Sequence, residues 1–134
     1  MPSISSVMKT ELVTVDKKTP ILEAIDMLVR FNITGLPVVN KKDELIGIVS
    51  EKDLLKLTYG LTSMAYDSNK TPETVAEIMT TDVQAFEISD SLVSVCKCLM
   101  EKPFRRVPIV DNKKLIGIIS RRDLLAMHAA ALPA

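Results

Sequence analysis

The chain contains the same sequence pattern twice. Leu45–Leu55 and Leu115–Leu125 are identical at eight of eleven positions, at a sequence offset of 70. Other stretches match at an offset of 71: Leu36–Asn40 with Val107–Asp111, and the pair Met8 and Thr10 with Met79 and Thr81. Such self-similarity indicates a fold built from repeated units that need each other to bury their apolar faces. We therefore divide the chain into a first repeat at 7–55, a connector at 56–77, a second repeat at 78–125 and a helical tail at 126–134.

The overall composition narrows the classes of function. Apolar residues make up 47% of the 134 residues and the formal net charge is zero, so the chain can form a core but lacks a basic nucleic-acid footprint. No apolar run reaches the ~18–20 residues of a membrane helix. The first residues, Met1-Pro2-Ser3-Ile4, do not resemble the basic and apolar pattern of a secretory signal, so we expect no such signal. We expect a cytoplasmic protein with no membrane span and no nucleic-acid partner.

Each repeat predicts the same order of elements, β-α-β-β-α, and hence an α/β (α+β) fold. A short extended piece, Val13–Val15 or Gln84–Phe86, precedes a helix whose apolar residues recur at the i, i+3, i+4 and i+7 positions. These residues are Ile21, Ala24, Ile25 and Leu28 in the first repeat and Leu92, Val95, Cys96 and Leu99 in the second. Two apolar runs joined by a polar turn then predict a β-hairpin, which leads into a second helix at Ser50 or Ser120.

The first helix of each repeat has recognisable start and stop signals. Thr19 followed by Pro20 predicts an N-cap with proline at N1, and Asp90 predicts the N-cap in the second repeat. Asn32 and Pro103 lie where these helices should end. Because a unit of about 50 residues buries too little surface alone, we expect the repeats to pack by a pseudo-twofold axis into one module.

The connector and the tail carry weaker signals. In the connector, Met64–Tyr66 is apolar enough to pack, and Thr71–Glu73 resembles a helix start that leads to Val75–Met79. The alanine-rich tail is expected to extend the last helix as far as Pro133.

The usual catalytic and metal-binding side chains are scarce. Cys96 and Cys98 are two residues apart, so on a helix they point in different directions and suit neither a disulfide nor one metal. We interpret them as small buried hydrophobic residues in a reducing compartment. The single histidine, His128, has no acidic or cysteine neighbour close in sequence. Since no activated nucleophile or metal-ligand spacing is visible, we do not expect an enzyme.

The motif Gly-Ile-x-Ser-x-x-Asp, at 47–53 and again at 117–123, has two interpretations. The structural interpretation is a capping box, in which serine is the N-cap and the aspartate at N3 suits the positive end of the helix. The glycine would then allow close packing or a bulge. The second interpretation uses the same atoms, because a strand that runs straight into a helix N-terminus offers free N–H groups to an anion.

In the second interpretation, the motif forms half of a nucleotide site. Ser50 and Ser120 would donate to phosphate, and Asp53 and Asp123 would accept hydrogen bonds from vicinal ribose hydroxyls. The two interpretations are compatible, since the same residues can cap the helix in the empty state.

The whole pattern resembles the CBS domain, which is named after cystathionine β-synthase, in two tandem copies that cover about 97 of the 134 residues. The resemblance rests on the β-α-β-β-α order and on the Met and Thr before the first strand. It also rests on the hydrophobic-Pro-hydrophobic-hydrophobic-Asn/Asp stretch and on Leu-Ile-Gly-Ile-x-Ser-x-x-Asp-Leu-Leu.

The resemblance implies a regulatory module without catalysis or a catalytic cofactor of its own. Tandem CBS motifs pair through their sheets and leave two clefts, which often bind AMP, ADP, ATP, S-adenosylmethionine, NAD or a dinucleotide second messenger. Such pairs commonly form homodimers through their helices and regulate an attached or partner enzyme, channel or transporter. For this chain, that implies an adenine nucleotide or S-adenosylmethionine as the regulatory ligand, a homodimer and an unidentified regulated protein.

The resemblance also implies a set of ligand-binding residues. The two aspartates would hold ribose hydroxyls and the two serines would meet phosphate. The first adenine-lining segments would be Leu12, Val13 and Thr14 with Val83, Gln84 and Ala85. The opposite walls would be Ile33, Thr34, Gly35, Leu36 and Pro37 with Phe104, Arg105, Arg106, Val107 and Pro108.

The two half-sites differ in charge. Arg105 and Arg106 stand where the first repeat has Thr34 and Gly35, and Arg121 and Arg122 stand where it has glutamate and lysine. Because guanidinium groups neutralise and hydrogen-bond phosphate oxygens, we expect phosphate to bind mainly near the second repeat. A solvated basic surface patch is the alternative interpretation.

Two hypotheses for function follow. The first is a sensor of adenine nucleotides or related adenosyl ligands, which responds by shifting an equilibrium between conformers. The second is a structural module for interaction and dimerisation that binds no ligand, for which the capping boxes alone suffice.

Overall fold

Each half of the chain contains a helix, a two-stranded hairpin and a second helix in that order, as the repeats predict. The structure is a computed structural model that describes residues 2–63 and 71–131. In chain order the elements are α1 (Ile4–Val7), α2 (Ile21–Arg30), β1 (Gly35–Val39), β2 (Leu45–Ser50), α3 (Glu51–Thr62), a 3₁₀ turn (Val75–Glu77), β3 (Phe86–Glu87), α4 (Leu92–Glu101), β4 (Arg106–Asp111), β5 (Lys114–Ser120) and α5 (Arg121–Ala131). The expected α/β (α+β) class is confirmed. Met64–Tyr66 and Pro133, for which the sequence predicts packing and a helix end, lie outside the described residues.

The chain forms two compact units that exchange a short segment between the repeats. The central unit is Val13–Val83, and the terminal unit combines Met1–Leu12 with Gln84–Ala134. Each unit contains one hairpin with the helix before it and the helix after it, and the terminal unit also contains α1. Each unit also takes from the other repeat a short stretch that we call the lead segment, Met8–Thr10 or Met79–Thr81. The boundaries 7–55 and 78–125 thus describe the sequence period, whereas the compact units cut across it.

Each lead segment is held on a hairpin by a reciprocal pair of backbone hydrogen bonds. In the terminal unit, the Lys9 N–H donates to the Ile118 carbonyl at 2.8 Å and the Ile118 N–H donates to the Lys9 carbonyl at 3.0 Å. In the central unit, Thr80 and Ile48 form the same two bonds at 2.8 and 2.9 Å. This pairing adds an antiparallel bridge to the second strand of each hairpin.

The motif glycines allow the lead segments to approach this closely. A Cβ atom added to Gly117 would lie 2.5 Å from Met8 Sδ, and one added to Gly47 would lie 2.9 Å from Met79 Sδ and 3.0 Å from the Thr80 carbonyl oxygen. Each hairpin also has a register shift beside its glycine. The close packing that the motif glycine suggests is therefore present in both units, and an irregularity of strand pairing lies beside each glycine.

The hairpins carry the core of each unit on their buried faces. In the central unit, Val15 makes a parallel bridge to Val38, and α2 packs against β1. In the terminal unit, β3 pairs parallel with β4, and α4 packs against β4. The central core consists of Val15, Ile21, Ala24, Leu28, Leu36, Val38, Val49, Leu54, Leu57 and Val75. The terminal core consists of Ile4, Val95, Leu99, Val107, Ile109 and Ile119.

The first extended pieces are shorter than the sequence predicts. Val13–Val15 is reduced to the single bridge at Val15, and Gln84–Phe86 becomes a two-residue strand that starts at its last residue. The helix predicted as far as Met79 is one 3₁₀ turn, Val75–Glu77. In that segment, the Val75 N–H donates to the Thr19 carbonyl, so tertiary bonding replaces further helical bonds.

The N-cap of α2 differs from the sequence prediction. The N-cap is Pro20, one residue later than the predicted Thr19, and it makes no side-chain cap bond. Thr19 Oγ1 accepts a hydrogen bond from the Asp16 N–H at 3.2 Å, so the hydroxyl serves the preceding turn. The end of the helix agrees with its stop signal, since α2 ends at Arg30 and Asn32 adopts a left-handed φ of 51°.

The N-cap of α4 is also one residue later than predicted. Ser91 Oγ accepts from the Ser94 N–H at 3.2 Å and caps the helix. The predicted cap, Asp90, instead accepts from the Glu87 N–H at 2.8 Å in the turn before it. The helix ends at Glu101, just before the stop signal at Pro103.

The cysteines are less buried than predicted. Cys96 and Cys98 are both free thiols and both half-buried. The helical period correctly places Val95 and Leu99 in the core, and Cys98 packs against the edge of that core.

The close approach at the motif glycines predicts a specific loss of stability. We expect Gly117→Ala and Gly47→Ala each to lower the free energy of unfolding by about 1–3 kcal/mol, because the added methyl displaces the lead segment. Gly35→Ala is the matched control, since its added Cβ would meet nothing closer than 3.5 Å. Urea unfolding measures all three, and equal losses for the three variants would contradict the packing argument.

Candidate functional site

Both serine–aspartate pairs form capping boxes at the start of a helix. In the central unit, Ser50 Oγ accepts from the Asp53 N–H at 3.2 Å, and Asp53 Oδ2 accepts from the Ser50 N–H at 2.9 Å. In the terminal unit, Ser120 Oγ accepts from the Asp123 N–H at 3.1 Å, and Asp123 Oδ2 accepts from the Ser120 N–H at 2.8 Å. The structural interpretation of the motif is therefore correct, and it uses only one oxygen of each carboxylate.

The second carboxylate oxygen faces the lead segment in both units. Thr80 Oγ1 donates to Asp53 Oδ1 at 3.3 Å, and Lys9 Nζ lies 3.6 Å from Asp123 Oδ1. The Lys9 side chain is 74% exposed, whereas the Asp123 side chain is only 10% exposed. The same position of the fold thus places a hydroxyl at one aspartate and an ammonium group at the other.

The serine hydroxyls differ between the two units. Ser50 Oγ donates to Asp53 Oδ2 at 3.0 Å, so its proton is directed at the carboxylate. Ser120 and Asp123, both described residues, are joined only by the two backbone hydrogen bonds of the capping box. The Ser120 hydroxyl does not donate to the Asp123 carboxylate. The Ser120 hydroxyl can therefore donate to an incoming oxygen without first giving up a bond to Asp123.

In the central unit, the predicted wall residues lie directly beside the serine. The Thr34 carbonyl accepts from the Glu51 N–H at 3.0 Å, and Gly35 is the register partner of Ser50. Of these neighbours, Glu51 alone carries a charge.

In the terminal unit, the same two positions are arginines. The Arg105 carbonyl accepts from the Arg121 N–H at 2.9 Å, and Arg106 is the register partner of Ser120. Arg106 Nε is buried and has no hydrogen-bond partner among the described residues. Arg121 Nη2 donates to the Lys102 carbonyl at 3.1 Å, which ties that guanidinium to the end of α4. The helix start in this unit is therefore strongly cationic.

The predicted adenine-lining residues lie at the boundaries of the two compact units, and not beside the serine–aspartate pairs in sequence. The chain passes from one compact unit to the other between Leu12 and Val13, and again between Val83 and Gln84. The predicted adenine-lining residues Leu12, Val13, Thr14, Val83, Gln84 and Ala85 thus lie at these two passages. No described hydrogen bond connects them to the serine–aspartate pairs.

The remaining predicted site residues, which include wall residues and Arg122 beside Ser120, differ in exposure. Pro37 and Pro108 are buried within their strands, and Ile33 packs against the central core. Phe104 and Arg122 are exposed on the terminal unit.

The sequence prediction missed Lys9 and Thr80. Each lies between the matched methionine and threonine of a lead segment, so the repeat offset pairs these two positions. They escaped notice because a comparison of repeats highlights identical residues, and these two differ.

Neither a metal-binding cluster nor a membrane-spanning helix is found in the described ranges 2–63 and 71–131. No group of three or more histidine, cysteine, aspartate or glutamate side chains there is placed to hold a metal ion. None of the helices in those ranges is long and apolar enough to cross a membrane.

The repeated helix–hairpin–helix unit with a serine–aspartate pair at the second helix defines a tandem-repeat module. The family model of the CBS domain matches residues 4–60 and 75–129. The chain therefore belongs to the CBS domain family, and the resemblance found in its sequence is confirmed.

Curated relatives match most of this chain. The CBS domain-containing protein YhcV of Bacillus subtilis is 31% identical over 124 residues, which cover 92% of this chain and 84% of YhcV. The chloroplastic CBSX1 of Arabidopsis thaliana is 31% identical over 139 residues, which cover 87% of this chain and 59% of CBSX1. The chain spans only about half the length of several relatives, including 42% of protein MJ1225 of Methanocaldococcus jannaschii.

A solved structure matches the whole fold. The crystal structure of CBSX2 in complex with AMP aligns with a TM-score of 0.85 at 30% identity, covering 97% of this chain and 98% of that one. The CBS pair fold is thereby confirmed.

The capping boxes predict unequal losses of stability. We expect Ser50→Ala and Ser120→Ala each to lower the free energy of unfolding by about 0.5–2 kcal/mol, with the larger loss at Ser50, because its hydroxyl also donates to Asp53. Thermal and urea unfolding measure the change. Ser50→Thr and Ser120→Thr are the controls, since threonine keeps the hydroxyl; losses equal to those of the alanine variants would contradict a role of the hydroxyl in capping.

Proposed function

We propose that this chain is a regulatory module that binds adenosyl ligands at its two serine–aspartate pairs. The observation that carries the proposal is that the two oxygens of each aspartate carboxylate have different partners. One oxygen of Asp53 or Asp123 completes the capping box, and the other lies outside it. An aspartate so placed can accept hydrogen bonds from vicinal ribose hydroxyls while its helix stays capped.

The complex of CBSX2 with AMP supports an adenine nucleotide as the ligand. That protein shares 30% identity and nearly the full length of the fold with this chain. Ligands of the same class, ADP, ATP and S-adenosylmethionine, share the adenosyl group that the aspartates would recognise. In each of the two sites, the adenine ring would contact some of the segments that the family resemblance implies, namely Leu12–Thr14, Val83–Ala85, Ile33–Pro37 and Phe104–Pro108.

The terminal unit is the proposed main site for phosphate. Arg106 faces Ser120 across the hairpin, and Arg105, Arg121 and Arg122 adjoin the same helix start. The buried Arg106 Nε, without a partner among the described residues, favours an anion at this point, because an unpaired buried donor costs free energy that a phosphate oxygen would recover. Charge-assisted hydrogen bonds from arginine to phosphate are among the strongest in proteins.

Regulation would follow from differential affinity. A ligand that binds one conformer more tightly shifts the population toward it by that difference in binding free energy. A partner protein would then recognise the shifted conformer.

We further propose that the chain forms a homodimer through helix faces that are exposed in both repeats. Leu22 and Val29 of α2 are 80% and 76% exposed, and the equivalent Val93 and Met100 of α4 are 73% and 78% exposed. The two residues of each pair are two helical turns apart and therefore lie on one helix face. Exposed apolar residues that share a face are typical of protein–protein interaction sites.

The ligand proposal predicts a thermal shift that depends on one aspartate. AMP at 100 times its Kd should stabilise the native protein by about 2.7 kcal/mol and raise its Tm. We expect Asp123→Asn to remove most of this shift and Asp53→Asn to leave most of it. Asparagine keeps an oxygen for the serine N–H but cannot supply the same pair of carboxylate acceptors.

Asp111→Asn, at the far end of the same hairpin, is the control and should keep the full shift. Loss in Asp53→Asn alone would contradict the assignment of phosphate to the terminal unit. The absence of any shift with AMP, ADP, ATP and S-adenosylmethionine would contradict ligand binding and favour an interaction module.

The dimer proposal predicts that a charge on each exposed helix face separates the subunits. Light scattering after size exclusion should give twice the mass of one chain for the wild type and the mass of a single chain for the Val29→Glu, Met100→Glu double variant. Lys41→Glu, in the turn of the first hairpin, is the control and should remain dimeric. A wild type with the mass of a single chain would refute the proposal.

A further inference from the structure

The residue beside the aspartate differs in charge between the two units, since it is Lys9 in the terminal unit and Thr80 in the central unit. Resting on the proposed function, we propose that Lys9 makes the terminal site selective for phosphorylated adenosyl ligands. Thr80, at the same position of the central site, leaves that site to uncharged or cationic adenosyl ligands.

The structural equivalence of the two residues is close. Each makes the same two backbone bonds with the second strand of its hairpin, Lys9 with Ile118 and Thr80 with Ile48. Each side chain then contacts the outer oxygen of its aspartate, at 3.6 Å for Lys9 Nζ and at 3.3 Å for Thr80 Oγ1. The fold therefore presents one side chain at this point, and the choice of lysine or threonine alone decides its charge.

The surrounding charges point in the same direction. The terminal helix start combines five cations with one carboxylate, and the central one combines one cation with two carboxylates. The terminal set is Lys9, Arg105, Arg106, Arg121, Arg122 and Asp123; the central set, at equivalent positions, is Thr80, Thr34, Gly35, Glu51, Lys52 and Asp53. A cluster of like charges raises the local concentration of an oppositely charged ligand.

Lys9 differs from the arginines because the oxygen that it contacts, Asp123 Oδ1, is also the oxygen that would bind the ribose. A ribose hydroxyl that binds Asp123 Oδ1 competes with the Lys9 ammonium group for that oxygen. A phosphate on the same ligand gives the ammonium a second anionic partner, whereas adenosine gives none. Since the Lys9 side chain is 74% exposed and flexible, it can follow the phosphate at little cost. At Asp53, the Thr80 hydroxyl can be displaced without leaving a cation unpaired.

Calorimetric titration with AMP and with adenosine tests the proposal site by site. In an Asp53→Asn background, which leaves the terminal site, Lys9→Thr should weaken AMP about five- to tenfold, as expected for a lost charge-assisted contact, and change adenosine less than twofold. Lys9→Arg should retain the preference for AMP. In an Asp123→Asn background, which leaves the central site, Thr80→Lys should raise the affinity for AMP relative to adenosine.

The ionic strength and a matched lysine serve as controls. Raising the salt concentration should lower the ratio of AMP to adenosine affinity more in the protein that retains Lys9 than in the Lys9→Thr variant. Lys114→Thr removes an equal charge from the far end of β5, about 20 Å from Ser120, and should leave the ratio unchanged.

Each outcome separates this inference from the proposed function. If the wild type binds both ligands and Lys9→Thr leaves their affinity ratio unchanged, the inference is wrong and the proposed function stands. That result includes the case in which Lys9→Thr weakens both ligands equally, which would mean that Lys9 only orients Asp123. If the wild type binds neither ligand, the proposed function fails and the inference fails with it.

Discussion

The reciprocal backbone pair between each lead segment and the second strand of a hairpin determines the rest of the site. Two hydrogen bonds form in each unit, Lys9 with Ile118 and Thr80 with Ile48. These bonds bring the lead segment so close to the strand that the residue before the paired isoleucine must be glycine. A side chain at that position would collide with the methionine of the lead segment. The same pair places residue 9 or 80 against the carboxylate that caps the next helix. Backbone pairing, glycine packing and helix capping are therefore coupled within a few residues of each motif, where the ligand is proposed to bind.

As a result of this pairing, each serine–aspartate site combines residues from both repeats. A hairpin from one repeat pairs with the lead segment of the other, so each aspartate has a neighbour supplied by the other copy of the repeat. Neither repeat alone contains both the aspartate and the side chain that contacts its outer oxygen. A site assembled this way is lost when either repeat unfolds, because each aspartate then loses either its helix or its neighbour.

The sequence predicted those features that depend on local chemistry. The hairpins and the apolar helix stripes follow from periodicity, and the serine–aspartate boxes follow from capping chemistry, because all of these act over a few residues. The errors arose where neighbouring polar groups compete. Thr19 and Asp90 are good caps by type, but each is engaged in the preceding turn, so Pro20 and Ser91 begin the helices. Lys9 and Thr80 depend on a contact distant in sequence and on a position at which the repeats differ, so periodicity gives no signal for them.

The pattern of identity between the repeats separates residues that the fold requires from residues that are free to differ in charge. Glycine, serine and aspartate recur because close packing of the lead segment and capping of the helix depend on them. The positions that change charge, Lys9 against Thr80 and Arg106 against Gly35, have backbone partners in the same register and so place no new demand on the fold. Their side chains are thus free to differ while the backbone stays the same. A duplicated unit can in this way keep one architecture and surround its two aspartates with side chains of different charge.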